Sequence, residues 1–176
     1  MTEYPDAHAT DPARLGLMQG FPPPPDKTLD LQRSDSRRWP NTRWSFSHQR
    51  EMTATAAIRR GPGAVSPLAY ALRDDLDSVA FTSMDGQALT WGQSLAVNFT
   101  DGIVVLYKGA VIYERYFGAL TPEQPHIAFS ITKSFVGLLA GLLQVEGRLD
   151  PQALVTDYVP ELAGTAFADA RLRQVI

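Results

Sequence analysis

From Phe135 to Leu143 the chain reads Phe-Val-Gly-Leu-Leu-Ala-Gly-Leu-Leu, with no polar side chain at any position. Ile131 to Glu146 reads as one helix around this stretch, with Gly147 as its C-terminal stop. A helix that is apolar on every face is buried. Gly137 and Gly141 lie four apart on one face, which allows close packing in a core. That reading is preferred over membrane dimerisation, because the run is far short of the roughly 20 residues a membrane span needs. Two hairpins and a few short helices, all that the rest of the chain offers, give too little surface to cover such a helix. The expectation is that these 176 residues are the N-terminal part of a larger fold.

The chain ahead of that helix divides by composition. Residues 1–66 form a Pro/Arg-rich arm, and Pro22 to Pro25 favour polyproline II. No helical or strand period is sustained there, so the arm is expected to be extended. Its Leu15, Leu17, Met18, Phe21, Trp39, Trp44 and Phe46 are expected to pack on something. Residues 67–176 carry the regular structure. Pro67 to Leu76 is predicted as a short helix, with Ser66 as N-cap and Pro67 at N1. Val79 to Thr82 and Ala88 to Trp91 form a hairpin about Asp85-Gly86, and a short helix follows toward Asn98. Ile103 to Tyr107 and Ala110 to Phe117 form a second hairpin about Lys108-Gly109. Its apolar first strand is expected to be buried on both faces. Asp150-Pro151 reads as the cap and first residue of a short helix, and Ala168 to Ile176 starts another.

Composition removes several chemistries. There is no Cys, which excludes disulfides, Cys-based zinc sites and thiol nucleophiles. The three His are not at helical ligand spacing, and a net charge of −3 gives no global pull toward nucleic acid or anionic membranes. From Arg33 to Arg60, seven Arg stand against Asp35 and Glu51, a local charge of +5 with Trp39, Trp44 and Phe46 among them. A nucleic-acid patch is one reading. The reading preferred here is that the Arg forks clamp carbonyls and carboxylates of their own domain. The N-terminus is polar, acidic and Pro-containing, with no apolar export segment. A cytoplasmic protein is expected, with no nucleic-acid or membrane partner and with homo-oligomerisation left open.

Ser130-Ile131-Thr132-Lys133 is an S-x-x-K pattern at the start of the apolar helix. The spacing puts both side chains on one face, one turn apart. A serine hydroxyl is a poor nucleophile without an adjacent base, and a neutral lysine amine in reach supplies one. Burial beside Phe129 and Phe135 is expected to favour the neutral amine. The helix N-terminus favours a developing oxyanion. The competing reading is an exposed first-turn pair in which Ser130 merely caps the helix. Ten Ser and three Lys make roughly 0.17 chance matches to the bare pattern, so the argument rests on context. The chain writes its positive charge as 13 Arg and only three Lys, yet one Lys enters the most apolar helix.

The stretches GIVVLYKGAVIYERYFG, HIAFSITKSFVGLLAGLLQVEGRLD and VTDYVPELAG resemble the serine β-lactamase and penicillin-binding protein superfamily. The likeness is to its class C-related branch, which includes esterases and 6-aminohexanoate-dimer (nylon oligomer) hydrolases. GLMQGFPPPPDKTL and NTRWSFSHQRE resemble the N-terminal extension of the latter. The resemblance runs from about Leu15 to Ile176. It implies an α/β sandwich, an antiparallel sheet flanked by helices, of which this is the N-terminal part. It also implies Ser130 as acyl-accepting nucleophile, Lys133 as its base, and the Ser130 N–H as half of an oxyanion hole. The substrate would be a small-molecule amide or ester, with no metal or organic cofactor. The family's Tyr-x-Asn-like and Lys/His-x-Gly-like motifs are not found in these residues. Tyr158 falls in the structural DYVPEL stretch and is not a substitute.

Other candidates have plainer readings. His126, four residues before Ser130, could line the mouth of the site, but the reading preferred is a loop histidine, solvated or hydrogen-bonded locally. His48 anchors the arm. Asp74, Asp75 and Asp77 are a solvated helix end rather than a metal site. Asp101-Gly102 is a turn ahead of a strand.

Overall fold

The computed structural model describes residues 6–32 and 34–176. Arg33 therefore lies outside the described residues. The chain packs as two units, one ending at Ile127 and the other running Ala128–Ile176.

In the first unit the arm is not extended. It is a string of one-turn helices: α1 (Pro12–Leu15), α2 (Thr42–Ser45) and α3 (Gln49–Met52), with 3-10 turns at Pro25–Lys27 and Ser34–Arg37. Asp11 caps α1 through the amide of Ala13 at 2.7 Å, and Gly16 ends it at φ +68°. Leu17, Leu29 and Trp44 are buried together, with Leu15, Met18 and Met52 packed around them. Gly16 stops α1 after one turn, α2 and α3 end at Phe46 and Thr53, and the apolar side chains between these turns still collapse locally. Residues 53–68 are exposed and carry no helix or strand.

β1 (Ala69–Tyr70) replaces the helix expected over Pro67 to Leu76. It pairs parallel with β5 (Ala110–Tyr116), and the amides of Ala71 and Arg73 continue along the same edge to the carbonyls of Val111 and Ile112, both at 2.9 Å. An open strand edge satisfied more backbone groups than a short isolated helix would. A 3-10 turn (Asp74–Ser78) leads to the hairpin of β2 (Ala80–Thr82) and β3 (Ala88–Thr90), turned at Gly86 with φ +83°. Helix α4 (Trp91–Val97) starts at Thr90, whose hydroxyl accepts from the Gln93 amide while Gln93 reaches back to the Thr90 amide. That is a reciprocal cap.

β4 (Gly102–Tyr107) and β5 (Ala110–Tyr116) form the longer hairpin, turned at Lys108 and Gly109 with φ +50° and +81°. The sheet order is β1-β5-β4. A bulge between Val105 and Leu106 shifts the register. Val111 and Tyr113 alternate inward on β5 and are each 1% exposed. β4 is not buried on both faces: Val104 and Leu106 are exposed. Tyr113 donates to Asp77, and Arg115 stands over its ring at 4.5 Å.

In the second unit, α5 (Ile131–Val145) ends as expected, with Gly147 at φ +70°. It is not buried. Phe135, Leu138 and Leu142 are 64%, 62% and 52% exposed, and only Ala140 is buried. Open space surrounds Gly137 and Gly141, so neither glycine serves a close packing contact. Beyond α5 this unit holds only α6 (Val155–Tyr158) and 3-10 turns, which cannot enclose a helix that is apolar on every side. Asp150 accepts from the Gln152 amide at 2.8 Å and opens a turn rather than a helix. The helix expected over Ala168 to Ile176 is a 3-10 turn at Leu172–Gln174. Its approach is taken by a bridge between Leu154 and Arg171, backed by Val155 N–H to Ala170 at 2.8 Å and Leu172 N–H to Ala153 at 3.0 Å. Among the described residues, no helix is long and apolar enough to cross a membrane.

Candidate functional site

Ser130 stands at the N-cap of α5 but does not cap it with its side chain. Its Oγ instead accepts a hydrogen bond from Lys133 Nζ at 3.1 Å. The first turn closes through the Lys133 amide and the Ser130 carbonyl at 2.9 Å, which places the two side chains on one face. Phe129, just ahead, has φ +42°. A left-handed conformation costs a bulky L-residue about 1–2 kcal/mol, so strain is stored beside the serine. No sequence signal announced it. The Ser130 amide donates to no carbonyl or side chain among the described residues. The expected burial of the pair is not found. Ser130 and Lys133 are exposed, and Phe129 and Phe135 beside them are 54% and 64% exposed.

In the first unit a second constellation forms around Asp101, which the sequence reading treated as a turn residue. Asp101 Oδ1 accepts from Arg43 Nη1 at 2.5 Å, and Oδ2 lies 3.0 Å from His126 Nε2. Arg43 Nη1 also donates to the Thr100 carbonyl at 2.8 Å. His126 Nδ1 faces the carbonyl of Ile127 at 3.0 Å, and its ring meets Phe46 edge-on at 5.7 Å. The Asp101 carboxylate holds the His126 pKa above the usual imidazole value, against the opposing effect of burial. Asp101 and His126 border a cavity of about 490 Å³, walled by Phe46, Phe99, Tyr116 and Leu120. Gly102 sits at its edge, where a Cβ would meet Leu120 Cδ2 at 2.9 Å. A periodicity argument could not find Asp101, because its partners lie far away in sequence.

Residues 99–176 match the Beta-lactamase family. Asp101, His126, Ser130 and Lys133 all fall inside this Beta-lactamase match, and Arg43 falls outside it. Over 137 residues, 78% of this chain, it is 36% identical to the 6-aminohexanoate-dimer hydrolase of Paenarthrobacter ureafaciens. That alignment is longer than the family match and so reaches well ahead of residue 99. A solved structure from Bacillus anthracis, named provisionally as a 6-aminohexanoate-dimer hydrolase, is 31% identical with a TM-score of 0.69 over 84% of this chain. The chain spans 33% of the length of the first relative and 39% of the second. By sequence and structure it is similar to part of these hydrolases, and it has a mixed α/β fold.

The remaining candidates fall to structural roles. Tyr158 Oη accepts from the Asp150 amide at 2.7 Å. His48 stacks flat on Trp44 at 4.3 Å and bonds its carbonyl through Nδ1 at 2.7 Å, both contacts lying within the arm. Asp75 pairs with Arg73, and Asp77 with Tyr113 and Arg115. Of the arm arginines, Arg43 follows the clamping reading. Trp44, one of the aromatics offered for base stacking, is buried. Among the described residues, no group of three His or carboxylates is placed to hold a metal ion.

Proposed function

We propose that this chain is the nucleophile-bearing part of a serine hydrolase that cleaves small amides or esters, like the 6-aminohexanoate-dimer hydrolases it resembles. Residues 67–176 would be the N-terminal part of the hydrolase domain, with 1–66 as its arm. The observation that carries this reading is the 3.1 Å contact from Lys133 Nζ to Ser130 Oγ, on a serine whose side chain is not used as a cap.

The chemistry follows from that pair. Ser130 Oγ would attack the acyl carbon as its proton passes to Lys133 Nζ, which can take it only in its unprotonated form. The carbonyl oxygen takes the electron pair and is stabilised by the Ser130 N–H and the positive end of α5. The intermediate collapses to an acyl-serine as the leaving amine or alcohol takes a proton. Water then attacks the acyl carbon and releases the acid and free Ser130. A second acid/base group and a second oxyanion donor belong to motifs not found in these residues.

A fluorophosphonate probe tests the assignment. Labelling at Ser130 that vanishes in Ser130→Ala supports it, and ester hydrolysis that persists in Ser130→Ala overturns it. An alternative reading is a catalytically inactive homologue that acts as a binding module. That reading expects no turnover of p-nitrophenyl esters by the folded chain.

A further inference from the structure

Asp101 lies where three stretches of the first unit meet. Arg43 arrives from α2, His126 closes the loop after β5, and the Asp101 carbonyl accepts from the Phe117 amide at 2.8 Å. The next residue after His126 is tied as well: the Ile127 amide donates to the Phe46 carbonyl at 2.8 Å. The loop from Phe117 to Ile127 is thus pinned at both ends, once to the strand entry and once to the arm.

The His126 ring sits between two groups that only accept. One is the carboxylate of Asp101, already paired with an arginine, and the other is the carbonyl of Ile127. A neutral imidazole has one N–H and satisfies one of them, while imidazolium satisfies both. We propose that Asp101 and His126 form a proton-operated clasp, closed while His126 is an imidazolium, that holds the arm and the Phe117–Ile127 loop against β4. When the ring loses its proton to solvent, one of the two contacts has no hydrogen left and opens.

The charged groups facing the ring are few. Asp101 comes from the turn ahead of β4, and Arg43, from α2, keeps its charge throughout. Tyr116 of β5 borders the same cavity but donates to Glu114, which pushes its pKa up to about 12, so it stays neutral. His126 is therefore the group that changes charge in the middle of the pH scale. Its folded pKa is raised, so the clasp contributes fully below the unfolded imidazole value and is lost as pH rises through the folded one. None of this depends on the role given to Ser130.

The test uses the whole 176-residue chain with nitrogen-labelled histidine, read by NMR of the ring nitrogens. Near pH 6, both His126 nitrogens should carry hydrogen. The titration midpoint should lie higher in the folded chain than in the same chain in urea, and Asp101→Asn should lower it. A midpoint at or below the unfolded one overturns the clasp. A second variant guards against misfolding of Asp101→Asn. His126→Gln keeps a donor toward Asp101 and cannot titrate. The exchange protection of the Ile127 amide should fall as pH rises in the wild type and stay level in His126→Gln. The same pH profile in both would refute the proposal.

Discussion

Arg43 and Asp101, 58 residues apart, form a nearly dry ion pair at 2.5 Å, with side chains 3% and 13% exposed. The pair joins the arm to the first strand of the longer hairpin. It also crosses the edge of the family match, since Arg43 precedes residue 99 and Asp101 follows it. The arm is thus part of the packing of its unit. Gly118 presses from the other side, where a Cβ would lie 3.3 Å from Arg43 Cδ.

Arg43→Ala leaves the Asp101 carboxylate with only His126 beside it. Breaking a buried pair by removing one partner costs about 3 kcal/mol or more. Urea unfolding should show that loss, and Arg43→Lys should recover only part of it, because one ammonium cannot copy the guanidinium fork. A loss below about 1 kcal/mol would mean the pair behaves as a surface bridge.

Lys133→Ala keeps the Ser130 hydroxyl and removes the group that would take its proton. Fluorophosphonate labelling of Ser130 should slow by about 10²-fold or more, the usual weight of a general base. Helix content should hold, since Lys133 is exposed and Ala is a good helix former. Equal labelling rates for Lys133→Ala and wild type would remove Lys133 from the mechanism.

The apolar surface of α5 should bind a dye such as ANS. Leu138→Lys combined with Leu142→Lys should cut that fluorescence and change stability by less than about 1 kcal/mol, because both side chains stand in solvent. A cooperative loss of structure in the double variant would show that the helix is covered in solution.

Tyr113 is 1% exposed, and burial together with Asp77 pushes its phenol up to about 12. Its folded value lies above the ordinary one, so stability from this contact is present below the unfolded tyrosine pKa and lost as pH rises through the folded one. Phenolate absorbance should therefore show two tyrosines, Tyr116 and Tyr113, that stay protonated when the others ionise, with Tyr113 contributing one late step. Tyr113→Phe should remove that late step and cost about 1 kcal/mol for the lost hydrogen bond.

The sequence alone determined what short-range physics controls. The turns at Gly86 and Gly109 and the stop at Gly147 were legible, because each depends on a few adjacent backbone groups. So was the Ser130–Lys133 spacing, since the α-helix itself sets what lies one turn apart. Tertiary structure decided the rest. Residues 69–73 became a strand because β5 offered an open edge. The last residues lost their helix to a bridge between Leu154 and Arg171. The exposure of α5 depended on how much cover its own unit supplies, which periodicity does not report. Asp101 looked like a turn residue until Arg43 and His126 met it, because a carboxylate's role is set by the charges that distant parts of the chain bring to it.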